Sequence, residues 1–396
     1  MKFAHLADCH LGSWREPKMR DANGRAFRMA VNKCVSENVD FVLISGDLFN
    51  NSFPSIDVLK LAVDSLRFLK EHGIPVYVIP GSHDFSPSGK TILDVLESAG
   101  LLVNVSKGEE HDGKLRLSFT VDSRTGAKIA GLFGKKAGLE KSYFELLDRQ
   151  FLESESGYKI FMFHSTLSEF KPKDLAGVDG IPVSFLPQNF DYYAGGHVHI
   201  IERFSLGSYK NVVYPGPVFP NSFSEVEKLG KGSMVIVEDN NVSFHSIVPF
   251  EIVSISLDVN NKTPVQVVHE LVDSLYNIKD KIIAIRLSGC LSAGRPSDID
   301  WDFVLAHAYK FGAYFVMRNT SALHSNELET VHISESDSVD IEDSLIKEHL
   351  GQIVLGDDEV LTKELMKVFG SEKKEGERVV DYESRLGSDA DSVLDV

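Results

Sequence analysis

MKFAHLADCH, residues 1–10, carries a short apolar run that stops at an aspartate and a histidine two positions apart. The same syntax returns four times. FVLISGD at 41–47 ends in Asp47, and VYVIPGSHD at 76–84 ends in Ser82, His83 and Asp84. KIFMFH at 159–164 ends in His164, and DYYAGGHVH at 191–199 ends in His197 and His199. β-branched and aromatic runs punctuated by glycine and proline read as strands, so each polar cluster falls at a predicted strand end. Between the runs lie segments of helical period, one over roughly 20–37 and one over 54–73. The second opens at Ser52 and Pro54 and closes at Gly73. Its apolar positions Leu59, Leu61, Val63, Leu66 and Leu69 suit either a sheet face or a helical bundle between two copies of the chain. Such alternation predicts an α/β fold, with helices on the sheet faces and ligands beyond the carboxyl ends of the strands.

The pattern changes further along. From 191 to 258 strands follow one another directly: DYYAGG, IERFSL, NVVYPG, GSMVIVED, NVSFHSIV and EIVSISLDV. This succession predicts a second, largely antiparallel sheet that completes a two-sheet sandwich, so residues 1–250 read as one domain. Residues 251–320 read as β-α-β-α-β, a separate small α/β domain. A polar linker is expected over 321–339. Two apolar stripes over 340–370, Ile341/Leu345/Ile346/Leu350 and Val360/Leu361/Leu365/Met366/Phe369, predict a helix–loop–helix pair. The charged, aromatic-poor stretch 371–396 is expected to be disordered.

Composition narrows the class. A chain of 396 residues, 43% hydrophobic and 25% charged, has material for a large core and for two or three domains. No apolar run approaches the ~18 residues of a membrane span. The first residues lack the long apolar stretch of a signal peptide. Three scattered cysteines, Cys9, Cys34 and Cys290, suit a reducing cytoplasm without a disulfide framework, nucleoid-associated in a cell that lacks a nucleus. The net charge of -17 is uneven: residues 327–396 hold 20 acidic against 7 basic side chains. The chain therefore lacks the overall basic excess of a nucleic-acid binder, and any DNA contact must use local basic patches, metal ions or a partner.

The clusters carry the chemistry. Side chains alternate along an extended chain, so Asp8 and His10 are expected to share a face, with Cys9 turned away into packing. His5 has the opposite parity to Asp8 and reads as structural. Asp47, preceded by a glycine, can bridge two cations with its two oxygens, or alternatively cap the next helix. His83 is expected to be a catalytic imidazole outside the ligand set, oriented by Asp84. His164 on its own would read as a core histidine. His197 and His199 offer one imidazole to each of two metals. Imidazole and carboxylate without thiolate favour manganese, iron or zinc over a structural zinc or an all-oxygen magnesium cage. Together the clusters describe a two-metal phosphoesterase centre, in which cations ~3.5–4 Å apart activate a water and stabilise both oxygens of an in-line displacement. The other eight histidines are expected to have no catalytic part.

D-x-H, G-D, G-S-H-D, a lone histidine and G-H-V-H resemble the signature of the calcineurin-like metallophosphoesterases. FAHLADCHLG, SGDLFNNSFPS, YYAGGHVH and YPGPVFP are similar to its double-strand-break repair nucleases, the Mre-eleven and SbcD branch. The resemblance is strong over roughly 1–250 and looser over a capping domain at 251–320. It implies one metal held by Asp8, His10, Asp47 and His199, and a second held by Asp47, Ser82, His164 and His197. It implies His83 as the catalytic histidine, manganese as the ion, and 3′-to-5′ exonuclease and single-strand endonuclease activity on DNA. It also implies a homodimer and a coiled-coil SMC-like ABC ATPase of the Rad-fifty type docked on 340–370. Two positions depart from the family. Ser82 stands where asparagine is usual, and its hydroxyl is a shorter, weaker donor to a cation. Pro217 stands where serine is common, which removes a hydroxyl and a backbone N–H. Two other readings remain: a DNA-end-binding scaffold for the ATPase with weak catalysis, and a small-nucleotide phosphodiesterase.

Overall fold

The protein is seen in a computed structural model that describes residues 1–86, 90–135, 138–171, 177, 180–325, 364, 365, 367–371 and 379–393. It divides into two units, 1–325 and 326–396. In chain order the first strands are β1 (Lys2–Leu6), β2 (Phe41–Ser45), β3 (Val76–Ile79), β4 (Val103–Asn104), β5 (Gly108–His111) and β6 (Lys114–Leu117). Then come β7 (Thr120–Val121), β8 (Lys128–Leu132), β9 (Lys159–His164), β10 (Tyr192–Gly196), β11 (Ile201–Leu206) and β12 (Tyr209–Pro215). The last are β13 (Gly232–Glu238), β14 (Asn241–Ile247), β15 (Ile252–Asp258), β16 (Ile282–Leu291) and β17 (Phe315–Ser325). The helices are α1 (Pro17–Ser36), α2 (Ile56–Glu71), α3 (Ile92–Ser98), α4 (Lys141–Leu146), α5 (Arg149–Ser154), α6 (Phe223–Leu229), α7 (Pro264–Ser274), α8 (Trp301–Lys310) and α9 (Val379–Val393).

β1, β2, β3 and β4 lie parallel, as runs joined through helices must. Proline at the start of α1 and Ser55 before α2 set those helices at 17 and 56, close to the boundaries read from sequence. α2 turns Val58, Ala62, Leu66 and Leu69 into the core beneath the sheet, while Leu59, Leu61 and Val63 are half-buried. The hairpin β13–β14 completes this sheet by pairing antiparallel with β1.

The second sheet corrects an expectation. Its order is β11-β12-β10-β9-β8-β7, and its four middle strands β12, β10, β9 and β8 are parallel. Only the edge pairs are antiparallel. The strands of 191–258 are shared among three sheets. Strands adjacent in sequence form hairpins only across tight turns, as at Asp239 and Asn240, both with positive φ. Between β12 and β13 the chain instead spends residues 216–231 on a connection containing α6, long enough to return it to the first sheet.

The two sheets meet over Phe3, Phe41, Leu43 and Ile79 on one side and Ile129, Ile160, Met162 and Tyr192 on the other. Phe3 stacks on Phe41 at 5.0 Å and meets Tyr192 edge-on at 5.2 Å. His5 is fully buried there, as a structural histidine should be. Its Nδ1 lies 3.0 Å from the Tyr192 hydroxyl and its Nε2 lies 2.9 Å from Ser45 Oγ. Burial pushes its pKa down to about 3, so the ring is neutral. Two hydroxyls, each able to donate or accept, satisfy either tautomer.

β15, β16 and β17 form a parallel three-stranded sheet with α7 and α8, around Val267, Leu271, Ile283, Ile285 and Val304. Ile282 and Ala284 face the other way, into the core beneath the first sheet. Arg286 clamps Glu227 of α6 through Nε at 2.9 Å and an Nη at 2.5 Å. Tyr314 stacks on Phe250 and donates to Asp21 at 2.9 Å. β17 continues five residues into the expected linker, because Leu323 and Ser325 alternate inward, and Ser325 donates to the Gly294 carbonyl at 2.7 Å. Most of the expected 340–370 helix pair lies outside the described residues; 364, 365 and 367–369 are helical. The tail expected to be disordered instead contains α9. Tyr382, Leu386 and Ala390 recur every four residues there, and Arg385 pairs with Asp389 one turn on at 3.9 Å. Among the described residues no helix is long and apolar enough to cross a membrane.

Phe3→Ala should lower unfolding free energy by about 3–5 kcal/mol, the usual cost of emptying a core aromatic site. Urea unfolding measures it, and a loss under ~1 kcal/mol would mean that the two sheets do not close over this ring.

Candidate metal centre

The carboxyl ends of β1, β2 and β3 in one sheet face those of β9 and β10 in the other. The loops after β1 and β2 run side by side: Asp8 N–H donates to the Gly46 carbonyl at 3.2 Å and His10 N–H to the Asp47 carbonyl at 2.9 Å. Asp8 and His10 converge, though not by strand alternation. β1 ends at Leu6, and the two residues take left-handed φ of 51° and 41°. Asp47, His197 and His199 do the same at 51°, 95° and 54°. Among the described residues every other non-glycine with positive φ is asparagine or aspartate. A histidine held there costs on the order of 1–3 kcal/mol, and three such histidines at one spot mark a place where stability has been given up for geometry.

Two glycines permit the approach. A Cβ on Gly46 would lie 2.2 Å from His164 Nδ1, and one on Gly81 would lie 2.2 Å from Asp47 Oδ1. Neither could be accommodated without moving a site residue.

Hydrogen bonds fix the imidazoles. His164 Nδ1 is 2.8 Å from the Ser45 carbonyl, which can only accept, so Nδ1 carries the hydrogen. His164 Nε2 then faces Asp47 Oδ2 at 3.1 Å. His199 Nδ1 donates to Glu225 Oε1 at 3.0 Å, which turns its Nε2 toward His10 Nε2 at 3.1 Å and Asp8 Oδ1 at 3.7 Å. His83 Nδ1 donates to the Asn50 carbonyl at 2.8 Å. His10 Nδ1 is buried without a partner among the described residues. His197 donates its backbone N–H to both Asp8 oxygens, at 2.9 and 3.1 Å, and its ring meets His164 edge-on at 5.1 Å.

Charge is concentrated here. Burial lowers the proton affinity of His164, but Asp47 and Asp8 outweigh it and push the imidazole up to about 10. His199 is raised too, since Asp8 and Glu225 overcome its burial. Burial would raise Asp47, yet the His164 and His10 imidazoles hold it below the usual carboxylate range. Burial raises Asp8. His10 and His197 are driven by burial down to about 3 and stay neutral donors of lone pairs. The cluster therefore attracts positive charge, and a proton or a divalent cation would compete for the same lone pairs. Donor atoms converge in three sets: Asp8, His10 and His199; His10, Asp47 and His83; Asp8, Asp47 and His164. The orphaned His10 nitrogen, the facing acceptors and the thiolate-free donor set fit divalent metal.

The expected site residues lie together, with two refinements. Asp84 does not orient His83. Its carboxylate takes the backbone N–H groups of Leu48, Phe49 and Gly81 at 3.2, 2.9 and 3.0 Å, tying the β2 loop to the β3 loop. Burial and the nearby Asp47 charge push Asp84 up to about 7. Ser82 is buried between Gly81 and His83, whose N–H donates to Asp47 Oδ1 at 2.8 Å, and the His197 ring falls outside the three convergent sets of histidine and carboxylate atoms. Cys9 is fully buried in the core, as expected. Glu225 went unread in the sequence. S-x-x-E at 222–225 reads as a helix cap, and Ser222 does cap α6, while the glutamate side chain spans the Asn221 N–H at 2.9 Å and His199. Asn23 was also missed; it is buried in α1 and braces the Cys9 carbonyl at 3.0 Å.

A two-layer sandwich with imidazoles and carboxylates gathered at its strand ends defines a metal-dependent phosphoesterase. The family model for calcineurin-like phosphoesterases matches residues 1–200, and the chain belongs to that family. The DNA double-strand break repair protein Mre11 of Archaeoglobus fulgidus is 30% identical over 237 residues, covering 58% of this chain and 52% of that protein. Mre11 of Methanococcus maripaludis is 29% identical over 244 residues, covering 59% and 62%. The chain thus spans little more than half the length of these curated relatives. The crystal structure of TT1561 of Thermus thermophilus is similar over 62% of this chain and 98% of that one, at 15% identity and a TM-score of 0.41.

Glu225→Ala should weaken divalent-metal binding by roughly 10–100-fold, the usual effect of removing a residue that holds a metal-binding histidine. Gly46→Ala should abolish binding by displacing His164. Calorimetric titration with manganese tests both, and unchanged affinity in either would mean that these contacts do not shape the site.

Proposed function

We propose that this chain is a metal-dependent DNA nuclease of double-strand-break repair that hydrolyses phosphodiesters with two divalent cations. The observation that carries this is the pair of oriented imidazoles. His164 and His199 each commit Nδ1 to an acceptor, which leaves Nε2 aimed at Asp47 and Asp8. Asp8, His10, Asp47 and His199 would hold one cation, and Asp47, Ser82, His164 and His197 the other. Imidazole with carboxylate suits manganese. The bound pair would supply Lewis acidity, making water nucleophilic and neutralising charge at phosphorus.

The protein's own groups do the rest. His83, half-buried and edge-on to His10 at 4.8 Å, has its Nδ1 hydrogen tied to Asn50, so its Nε2 is the atom that exchanges a proton with the departing oxygen. Asp84 acts through the backbone: by gripping Leu48, Phe49 and Gly81 it sets the position of Asp47. The named relatives act in DNA double-strand break repair, which supports DNA as substrate, with 3′-to-5′ exonuclease and single-strand endonuclease cleavage as the expected activities. Residues 251–320 would cap the nuclease domain, held by Arg286 on Glu227. A second copy of the chain and a coiled-coil SMC-like ATPase, docked on 340–370, complete the proposed assembly.

Ser82 favours a second reading, an end-binding scaffold with weak catalysis, because a serine hydroxyl reaches less far toward a cation than the asparagine usual in the family. Elemental analysis separates the two: two metal equivalents with cleavage support the nuclease, and one equivalent with DNA binding alone supports the scaffold.

With manganese, His83→Ala should cut cleavage of single-stranded DNA by about 10²–10⁴-fold while metal content stays at the wild-type level. Cleavage within tenfold of wild type would remove His83 from the proton-transfer step. Deleting 340–370 should abolish co-purification with the ATPase and leave nuclease activity within twofold; a truncated chain that still co-purifies would place the docking surface elsewhere.

A further inference from the structure

Beside the centre stands a cation that the cluster does not use. Lys135 Nζ lies 4.4 Å from the centre of the Tyr143 ring, 5.2 Å from Phe85 and 5.5 Å from Phe133, and donates to the Tyr143 hydroxyl at 2.8 Å. Among the described residues no carboxylate lies within ion-pair distance of it, Asp8, Asp47 and Asp84 included. Its backbone is held as well. Gly134 N–H donates to the Pro80 carbonyl at 3.0 Å, and a Cβ on Gly134 would lie 2.5 Å from His164 Cδ2. Lys135 N–H donates to Glu140 at 3.3 Å, and the same carboxylate accepts from Ser165 at 3.0 Å. The lysine is thus fastened between the loop that carries His83 and the strand end that carries His164.

A surface lysine ordinarily keeps its rotamer freedom and its water. Holding this one in an aromatic cage costs entropy and, among the described residues, gives its charge no counter-anion, in a chain of net charge -17 whose carboxylates are plentiful. We propose that Lys135 is a substrate-positioning residue: its ammonium binds a backbone phosphate of the DNA strand next to the scissile one. Its neighbour Gly134 packs against His164 and the Pro80 carbonyl, so the ammonium would stand to one side of the reacting phosphorus. The cage fixes the spacing between the gripped phosphate and the one being cut. This also answers a difficulty in the composition, since a chain without a basic excess needs a few cations placed where the strand must lie. The inference rests on the nuclease reading.

The test compares the full-length wild type, Lys135→Gln and Lys135→Arg in manganese, on a labelled single-stranded oligonucleotide and on bis(4-nitrophenyl) phosphate, which has no neighbouring phosphate. Lys135→Gln should raise KM for the oligonucleotide about tenfold, and the slope of log affinity against log salt should fall by roughly one charge's worth. The loss of kcat/KM on DNA should exceed that on the aryl ester at least fivefold, and Lys135→Arg should recover most of it. An unchanged KM and salt slope overturns the proposal. So does an equal loss on both substrates, which would make the lysine a support for the centre. Thermal melting of each variant reports folding, and Tyr143→Phe, which keeps the ring and drops the hydrogen bond, should raise KM by a smaller factor. A wild-type protein that leaves the oligonucleotide intact refutes the nuclease reading itself, whereas wild-type cleavage matched by Lys135→Gln refutes only the role of Lys135.

Discussion

Asp47 takes the His83 N–H on one oxygen at 2.8 Å and faces His164 of the opposite sheet with the other at 3.1 Å. The site depends on that one carboxylate. It stands just past β2, its carbonyl receives the His10 N–H, and its side chain meets residues from the β3 loop and from β9. Pulling the sheets apart by an ångström would take His164 away from a buried carboxylate, at a cost that few other contacts could offset. The packing of Phe3, Phe41 and Tyr192 between the sheets is therefore also what holds the site at its working distance.

The electrostatics are those of a nest waiting for positive charge. Asp8, Asp47 and Asp84 are all buried within a few residues of the strand ends, against imidazoles that burial tries to keep neutral. An apolar core would be more stable than such a cluster. The left-handed φ values at His10, His197 and His199 add strain in the same place. A bound cation would compensate for both, because it would satisfy the facing lone pairs and remove the repulsion among the carboxylates.

Much of this is legible in the chain. The parallel order of β1, β2 and β3 follows from apolar runs separated by helical segments, and the clusters at their ends do meet. Asp8 and His10 converge as strand alternation predicts, but for a different cause: the chain leaves the strand before either residue, and positive φ turns them inward. Asp84 shows a similar limit. Its neighbour in sequence is His83, but its carboxylate serves the backbone of the β2 loop. α9 escapes a reading by composition because its charged residues mask a four-residue apolar spacing.

The sequence by itself determined which carboxylates and imidazoles gather at the strand ends, since polar clusters after apolar runs are local features that each strand end displays. It also pointed to the family, through the resemblance of its clusters to that family's signature. Only the tertiary structure decided how strands of 191–258 divide among three sheets, because pairing depends on which edges are free once the earlier strands have packed. Only the structure brought Glu225 to His199 and Lys135 into its ring of aromatics. Those contacts join residues 26 positions apart in one case, and in the other join a lysine to rings on separate segments, a relation that exists only after the two sheets have closed.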